Sequence, residues 1–483
     1  MNMAKKLAPM KHLHLLYTLL FSVAVFLFFG QAYPHHLHYQ EQYQLFLFDS
    51  TYVWDIVRHP GGVADLLGRF CTQFFLFAWV GAAIIALLLS LVQLLTLRLT
   101  HYPLSIIHYP LLYSLSFVPS FLLWLFLLDE NALLGGVWAV LLTLLAIRLF
   151  VCLPKGWTRR IVILVAIPIL YWMVGPAWSG THYHRYPTVT PYLLYAAWLS
   201  AIVLVLSEKI IVKSGKFAAA SSSELKYGRR QQIFHFSLFT ITFIIMMMIV
   251  WNNANFKAEK VMGYDFMACH QQWNRILATV NAEKPNNQIG VTVQNLALAM
   301  HGQLADHLFD YNQNGLAGLL PDVQSDATSP MPTAEAFYQL GMINVAQRTV
   351  FEAQEAILDF QKSGRCYKRL AQTNLINGSY EVARKYLTAL QNTLFYRDWA
   401  NETLPLLGDE EAIAKHPEYG HLRLCAYNED FYFSDHVTPE MLESLFYGHT
   451  DNRLAYQYLV AYCVLTNDRE RYAKLLQELR VKN

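Results

Sequence analysis

The stretch FFLFAWVGAAIIALLLSLVQLLTL, from Phe74 to Leu97, contains no ionisable side chain. A helix needs about 20 mostly apolar residues to cross the roughly 30 Å of hydrocarbon in a membrane, and this stretch is long enough to do so. It therefore predicts a transmembrane helix and places the chain among integral membrane proteins.

Six more apolar stretches of this kind lie on either side of it. The seven predicted spans are Leu13–Tyr33, Phe74–Leu97, Ile106–Leu128, Ala132–Cys152, Ile161–Trp178, Tyr192–Leu206 and Phe234–Trp251. Only 15% of the 483 residues are charged, against about 25% in ordinary globular chains. We predict an all-α fold in which residues 1–256 form a polytopic bundle of about seven transmembrane helices.

The distribution of Lys and Arg predicts the orientation of this bundle, because short loops that carry these residues stay in the cytoplasm. One alternating set of loops holds Lys5, Lys6, Lys11, Arg98, Lys155, Arg159, Arg160, Lys209, Lys213, Lys216, Lys226, Arg229 and Arg230. The other set holds only Arg58, Arg69 and Arg185. The N-terminus is therefore predicted to be cytoplasmic, and an odd number of spans places residues 257–483 on the opposite side. The first span can alternatively be read as a signal peptide, which would leave this orientation unchanged.

The second half of the chain reads as amphipathic helices separated by short polar breaks. In the stretch NLINGSYEVARKY, Gly378 precedes Ala383 by five residues, and Gly341 precedes Ala346 by the same offset. This pattern resembles the tetratricopeptide repeat (TPR), in which a glycine closes the first helix and a small alanine lets the second pack closely. We predict a TPR-like solenoid over residues 257–483, a type of domain that usually binds a protein or peptide. The same spacing is also compatible with any closely packed helical hairpin.

Reactive side chains are concentrated in two loops that this orientation places on the outer side of the membrane. The candidate catalytic residues are Glu41 and Asp55, and the candidate ligand-binding residues are Arg58, His182, His184 and Arg185. A carboxylate can serve as a general base, while an arginine can hold a phosphate group through its planar guanidinium. Packing of the helices is expected to gather these residues near one outer mouth.

Two other interpretations of the first outer loop stay open. His35, His36 and His38 could bind a transition metal together with Glu41. These histidines do not have the i, i+4 spacing that places two ligands on one helical face, and we predict neither a metal nor a cofactor. The loop can also be an amphipathic segment at the membrane surface. Its apolar residues Leu45, Phe46 and Phe48 would then dip into the lipid.

The layout of the chain is similar to that of the polytopic glycosyltransferases of the C superfamily. Their first outer loop carries a catalytic acid, and their outer soluble domain can be TPR-like. The resemblance implies an enzyme that uses a lipid-linked sugar, with Glu41 as the nearest counterpart of the catalytic acid. The tandem acidic pair of that family is absent just beyond the first span, so the resemblance is one of layout.

The chain as a whole also resembles a family of uncharacterised bacterial membrane proteins that is defined as a domain of unknown function. The stretches that carry this resemblance are Glu41–Phe46, Asn295–Ala299, Ala346–Arg348 and Lys368–Leu375. It implies a multi-pass protein of the bacterial inner membrane, with residues 257–483 in the periplasm.

Two functions follow from these features. The first is a scaffold or adaptor in cell-envelope assembly, in which the bundle lies in the lipid bilayer and the TPR-like domain recruits a protein or peptide partner. The alternative is a membrane glycosyltransferase that takes a lipid-linked ligand. Nucleic acid is not expected as a partner, because 37 basic and 35 acidic residues give a net charge of only +2 and no basic footprint.

Overall fold

The computed structural model describes residues 2–42, 44–100, 113–154, 156–175, 191–213, 229–322, 329–357, 361–426 and 438–482. Within these ranges the chain is helical, and its β-type pairing is limited to an isolated bridge between Asn314 and Leu316. The chain divides into two compact units, Met1–Phe256 and Lys257–Asn483. The all-helical character predicted from the sequence is confirmed.

The first unit contains ten described helices, several of them strongly apolar. They are α1 (Asn2–Leu27), α2 (Pro34–Glu41), α3 (Ser50–Val57), α4 (Gly62–Thr72), α5 (Ala78–Leu99), α6 (Val118–Phe126), α7 (Leu134–Cys152), α8 (Trp157–Val174), α9 (Pro191–Lys213) and α10 (Arg229–Asn253).

Four helical segments among the described residues are long and apolar enough to cross a membrane. They are Leu15–Ala32, Ala78–Leu99, Leu134–Cys152 and Phe236–Asn253. The segments Tyr113–Phe126 and Tyr192–Leu206 are apolar but shorter. These four segments support a membrane protein, and the count of seven spans stays a prediction.

The interior of the first unit is built from large aromatic side chains. Phe21 and Trp124 are fully buried and Phe117 nearly so. The ring of Phe21 meets the other two edge-on, with centroids 5.3 Å from Phe117 and 5.8 Å from Trp124, an arrangement that aromatic quadrupoles favour. The outer surface instead exposes large apolar side chains such as Leu87 and Leu164. Exposed apolar surface on a helix bundle is typical of contact with a membrane or with another protein.

A polar contact joins three helical segments inside the bundle. The Gln93 side chain on α5 is fully buried. It accepts a hydrogen bond from the Thr18 hydroxyl at 3.0 Å and donates one to the Ser116 hydroxyl at 2.9 Å. Hydrogen bonds of this kind hold transmembrane helices together, because lipid offers a polar group no other partner.

Helix α4 packs closely against the start of α7 through two glycines. A Cβ atom on Gly68 would lie only 2.4 Å from the backbone nitrogen of Gly135. Glycine is therefore required at position 68 for the two backbones to approach this closely. This contact holds α4 against α7, which is one of the candidate spans described above.

The second unit consists of short helices joined by tight turns. They are α11 (Phe256–Cys269), α12 (Trp273–Glu283), α13 (Gln288–Met300), α14 (Leu304–His307), α15 (Leu316–Leu319), α16 (Pro330–Leu340), α17 (Ile343–Ala356), α18 (Gly364–Ile376), α19 (Tyr380–Gln391), α20 (Arg397–Thr403), α21 (Glu410–Lys415), α22 (Tyr419–Cys425), α23 (Thr438–Gly448), α24 (Arg453–Thr466) and α25 (Arg469–Lys482).

The same helix-ending turn recurs along this unit. Gly302, Gly341 and Gly378 adopt the left-handed conformation one or two residues after the ends of α13, α16 and α18. After Gly341, for example, the Met342 N–H donates to the Phe337 carbonyl at 2.9 Å, as in a Schellman motif. Asn467 takes the same position after α24, with φ 55°, because asparagine tolerates this conformation better than most residues. The same left-handed turn thus folds successive pairs of helices into hairpins.

Candidate functional site

Two of the sequence-predicted site residues are exposed on α3 or directly after its last residue. Asp55 and Arg58 form an ion pair at 3.2 Å, with side chains that are 62% and 53% exposed. Asp49 precedes the helix, and its carboxylate accepts a hydrogen bond from the Tyr52 N–H at 3.1 Å and so caps the N-terminus of α3. Asp55 and Arg58 therefore face solvent and are paired with each other.

Glu41 occupies a different environment, because it is the last residue of α2 and is buried. Helix α2 packs on the turn between α6 and α7. His36 Nε2 lies 2.9 Å from the Leu127 carbonyl, and the Gln40 amide donates to the Ala132 carbonyl at 3.2 Å. Burial lowers the pKa of His36 to about 4, which keeps this imidazole neutral and able to donate to the carbonyl.

The same turn contains two carboxylates that the sequence interpretation missed. Asp129 is buried. Burial raises the pKa of Glu130, and the negative charge of Asp129 adds to this effect. A sequence signal was available, because this acidic pair stands between two predicted spans.

The remaining predicted ligand residues, His182, His184 and Arg185, lie outside the described residues. The predicted gathering of both outer loops at one mouth therefore stays a prediction. The histidines of α2 can be assessed, since that helix is described throughout. Within the described part of the chain no group of three or more His, Cys, Asp or Glu side chains is arranged to hold a metal ion.

The amphipathic segment after α2 differs from the sequence expectation. Leu45 and Phe46, predicted to dip into lipid, are both only 7% exposed. Phe46 packs edge-on against Phe70 of α4, with ring centroids 5.5 Å apart. Phe48, the third residue of that interpretation, is 46% exposed and Trp54 is 66% exposed, so these two residues form the exposed apolar surface of the segment. The prediction for Leu45 and Phe46 was wrong, because a run of apolar residues does not distinguish lipid from protein interior.

A buried ion pair on α4 was also missed. Arg69 lies 2.7 Å from the Asp65 carboxylate, one helical turn away. The side chains of Asp65 and Arg69 are 4% and 13% exposed. The Tyr52 side chain on α3 is hydrogen-bonded to Arg69, which joins α3 to α4, and its hydroxyl also donates to the Leu45 carbonyl at 2.9 Å.

In the second unit, charged and aromatic side chains line up across three helices in a band that we call the polar stripe. It consists of Asp265 and Cys269 on α11, Glu335 and Tyr338 on α16, and Arg365, Lys368, Arg369 and Gln372 on α18. The α18 members follow the spacing i, i+3, i+4, i+7, which places them on one face of the helix.

Two arginines of the polar stripe are paired with carboxylates. Arg365 binds Asp265 through two hydrogen bonds of 2.5 and 2.8 Å, a bidentate geometry. Arg369 donates to Glu335 at 2.5 Å, and its guanidinium lies 3.6 Å from the centre of the Tyr338 ring. Its Nη1 atom is buried and has no hydrogen-bond partner among the described residues.

Lys368 has a different environment from the two arginines. Its ammonium lies 5.1 Å from the centre of the Trp399 ring, which attracts a cation. Burial lowers the pKa of this ammonium. Among the described ion pairs of this unit none involves Lys368. The sequence carried a signal for this site in the spacing along α18, which had been used only as a mark of family resemblance.

Comparison with known proteins identifies a family for the chain. A model described as a family of unknown function, DUF6057, matches residues 10–483. Neither a curated protein nor a solved structure matches.

Proposed function

The chain belongs to DUF6057, a family of unknown function, and we propose that it is a multi-pass membrane scaffold that binds a protein or peptide partner during assembly of the bacterial cell envelope. In this proposal the first unit forms about seven spans in the inner membrane, with the N-terminus in the cytoplasm. The Lys257–Asn483 unit then lies in the periplasm. The concentration of Lys and Arg in alternate loops supports this orientation.

The repeated hairpins of the second unit support a TPR-like solenoid. Ala346 and Ala383, on the second helices of two hairpins, are fully buried and allow close packing on the preceding helix. The concave surface of a solenoid is the usual place for a partner to bind. Helices α16 and α18 are the first helices of successive hairpins. Most of their polar stripe is buried, with Glu335 and Tyr338 only 2% and 0% exposed, so the half-buried Lys368 is the member that a partner on such a surface would contact.

The half-buried ammonium of Lys368 is the observation that carries the proposal. Burial of a cation costs free energy, and the nearby carboxylates Glu418 and Glu335 offset this cost only in part, because the pKa of Lys368 is still lowered. The adjacent Arg369 is paired with Glu335, but its Nη1 atom has no hydrogen-bond partner among the described residues. We infer that the partner presents an acidic group to Lys368 and Arg369, beside the Trp399 ring.

Matched lysine variants of the full-length chain test this function. Lys385 on α19 is exposed and serves as the control. Proteins bound to the tagged chain would be chemically crosslinked to it in cells, captured with it and quantified by mass spectrometry. We expect Lys368→Gln to lose a partner that the wild type and Lys385→Gln both retain, and deletion of Lys257–Asn483 to lose it as well. Equal capture by Lys368→Gln and Lys385→Gln would contradict the proposal.

The burial of Glu41 favours a second candidate function, acid–base chemistry on a lipid-linked sugar. Glu41 ends a helix that packs on the α6–α7 turn, where burial raises the pKa of Glu130. Burial of this kind adapts carboxyl groups for proton transfer. Under this hypothesis Glu41→Gln abolishes transfer from a lipid-linked sugar in membranes while the protein stays folded. A fully active Glu41→Gln protein would exclude Glu41 as the catalytic acid.

A further inference from the structure

Helix α3 presents three distinct faces around its short length. Tyr52 and Ile56 face the protein, and Ile56 is buried. Asp55 and Arg58 form the exposed ion pair on a second face. With about 100° of rotation per residue, Val53, Trp54 and Val57 fall on a third face, and this face is apolar.

The third face borders a shallow hollow of about 420 Å³. The hollow is lined by Phe48, Asp49, Ser50, Val53, Trp54 and Val57. Its lining atoms are mainly apolar, and the Asp49 carboxylate is already occupied in capping α3. Trp54 is 66% exposed. Exposure of so large an apolar side chain to water costs free energy. The hollow therefore suits an apolar occupant.

A row of aromatic rings connects this hollow to a candidate span. The centroids of the Phe48 and Phe70 rings are 6.4 Å apart, and those of the Phe70 and Phe74 rings are 5.6 Å apart. At the start of α5, Phe77 and Trp79 are about half exposed. Aromatic side chains at the ends of spans lie at the level of the lipid headgroups. The apolar surface of the hollow is thus continuous with surface that lipid covers.

We propose that the hollow binds an acyl chain of a phospholipid, taken from the leaflet in which α5 begins. Trp54 and Phe48 contact the chain, while Asp55 and Arg58 on the neighbouring face lie at headgroup level. Helices with one apolar and one charged face bind membranes in this orientation. The inference goes beyond the scaffold function, because it concerns the first unit alone and would hold whether or not the polar stripe binds a partner.

Site-specific photocrosslinking distinguishes a lipid from other occupants. A benzophenone-bearing amino acid would replace Trp54, or Asp55 as a control on the polar face, in the full-length chain. The two proteins would be reconstituted into vesicles of phosphatidylethanolamine that carries an alkyne on one acyl chain. We expect position 54 to crosslink the lipid several-fold more strongly than position 55.

Three results would overturn the inference. They are equal lipid labelling at positions 54 and 55, no labelling at position 54, and labelling at position 54 only of a second copy of the chain. Both side chains are exposed, so the replacements leave the interior unchanged. The elution volume of each protein on size exclusion verifies that it is folded.

Discussion

Replacement of Asp265 by asparagine removes a charge from the pair that joins α11 to α18. Arg365 and Asp265 are only 11% and 13% exposed, and Arg365 donates two hydrogen bonds to this carboxylate. Removing one member of a buried pair leaves an uncompensated charge and costs about 3–5 kcal/mol. We take about 3 kcal/mol, because the pair is not completely shielded from water.

Hydrogen exchange in the full-length protein in detergent would measure this loss segment by segment. A free-energy loss of about 3 kcal/mol corresponds to about a hundredfold faster exchange wherever opening breaks the contact between α11 and α18. The matched control is Glu411→Gln, which breaks the ion pair of Glu411 with Lys415 on the exposed surface. Exchange in the control is expected to change little, since exposed pairs contribute about 0–1 kcal/mol. Wild-type exchange rates in α11 and α18 of Asp265→Asn would refute the reasoning.

Three further predictions concern the first unit. Gly68→Ala is expected to lower the thermal midpoint in detergent, because the added Cβ overpacks against Gly135 at a cost of about 1–3 kcal/mol. Gly448→Ala, where a Cβ meets open space, should leave the midpoint unchanged. Equal midpoints for the two variants would contradict the packing. Because burial lowers the pKa of His36 from 6.5 to about 4, the unfolded chain takes up the proton first. The free energy of unfolding should be highest above about pH 6.5 and should fall by up to about 3 kcal/mol as the pH drops to about 4. A His36→Gln protein with the same pH dependence would contradict this assignment. Cys152 is exposed at the end of α7, and a membrane-impermeant maleimide should label it in inverted vesicles but not in intact cells; labelling in intact cells would reverse the proposed orientation.

Local sequence features were sufficient to predict the classes of helix. The apolar stretch around Leu89 predicted a span, because membrane crossing depends mainly on the length and hydropathy of one segment. Gly341 and Gly378 marked helix ends, because a left-handed residue is required there by local geometry. Asn467 ends α24 in the same way, at the break between the last two predicted helices, although the glycine of the TPR-like pattern is absent there.

The polar contacts could not be predicted in the same way, because they join residues that are distant in sequence. Arg365 and Asp265 are 100 positions apart, and only the packing of α11 on α18 brings them together. Burial of Phe46 likewise depends on α4, which supplies Phe70. The pair of Asp65 and Arg69 was readable from its i, i+4 spacing, but its burial was not.

Photocrosslinking in cells at the polar stripe tests the central claim most directly. The benzophenone-bearing amino acid would replace Trp399, beside the Lys368 ammonium, or Lys385 on the exposed face of α19. The proposed scaffold function predicts a discrete protein adduct at position 399, lost in Lys368→Gln, and none at position 385. No adduct at position 399, or the same adduct at both positions, would contradict it.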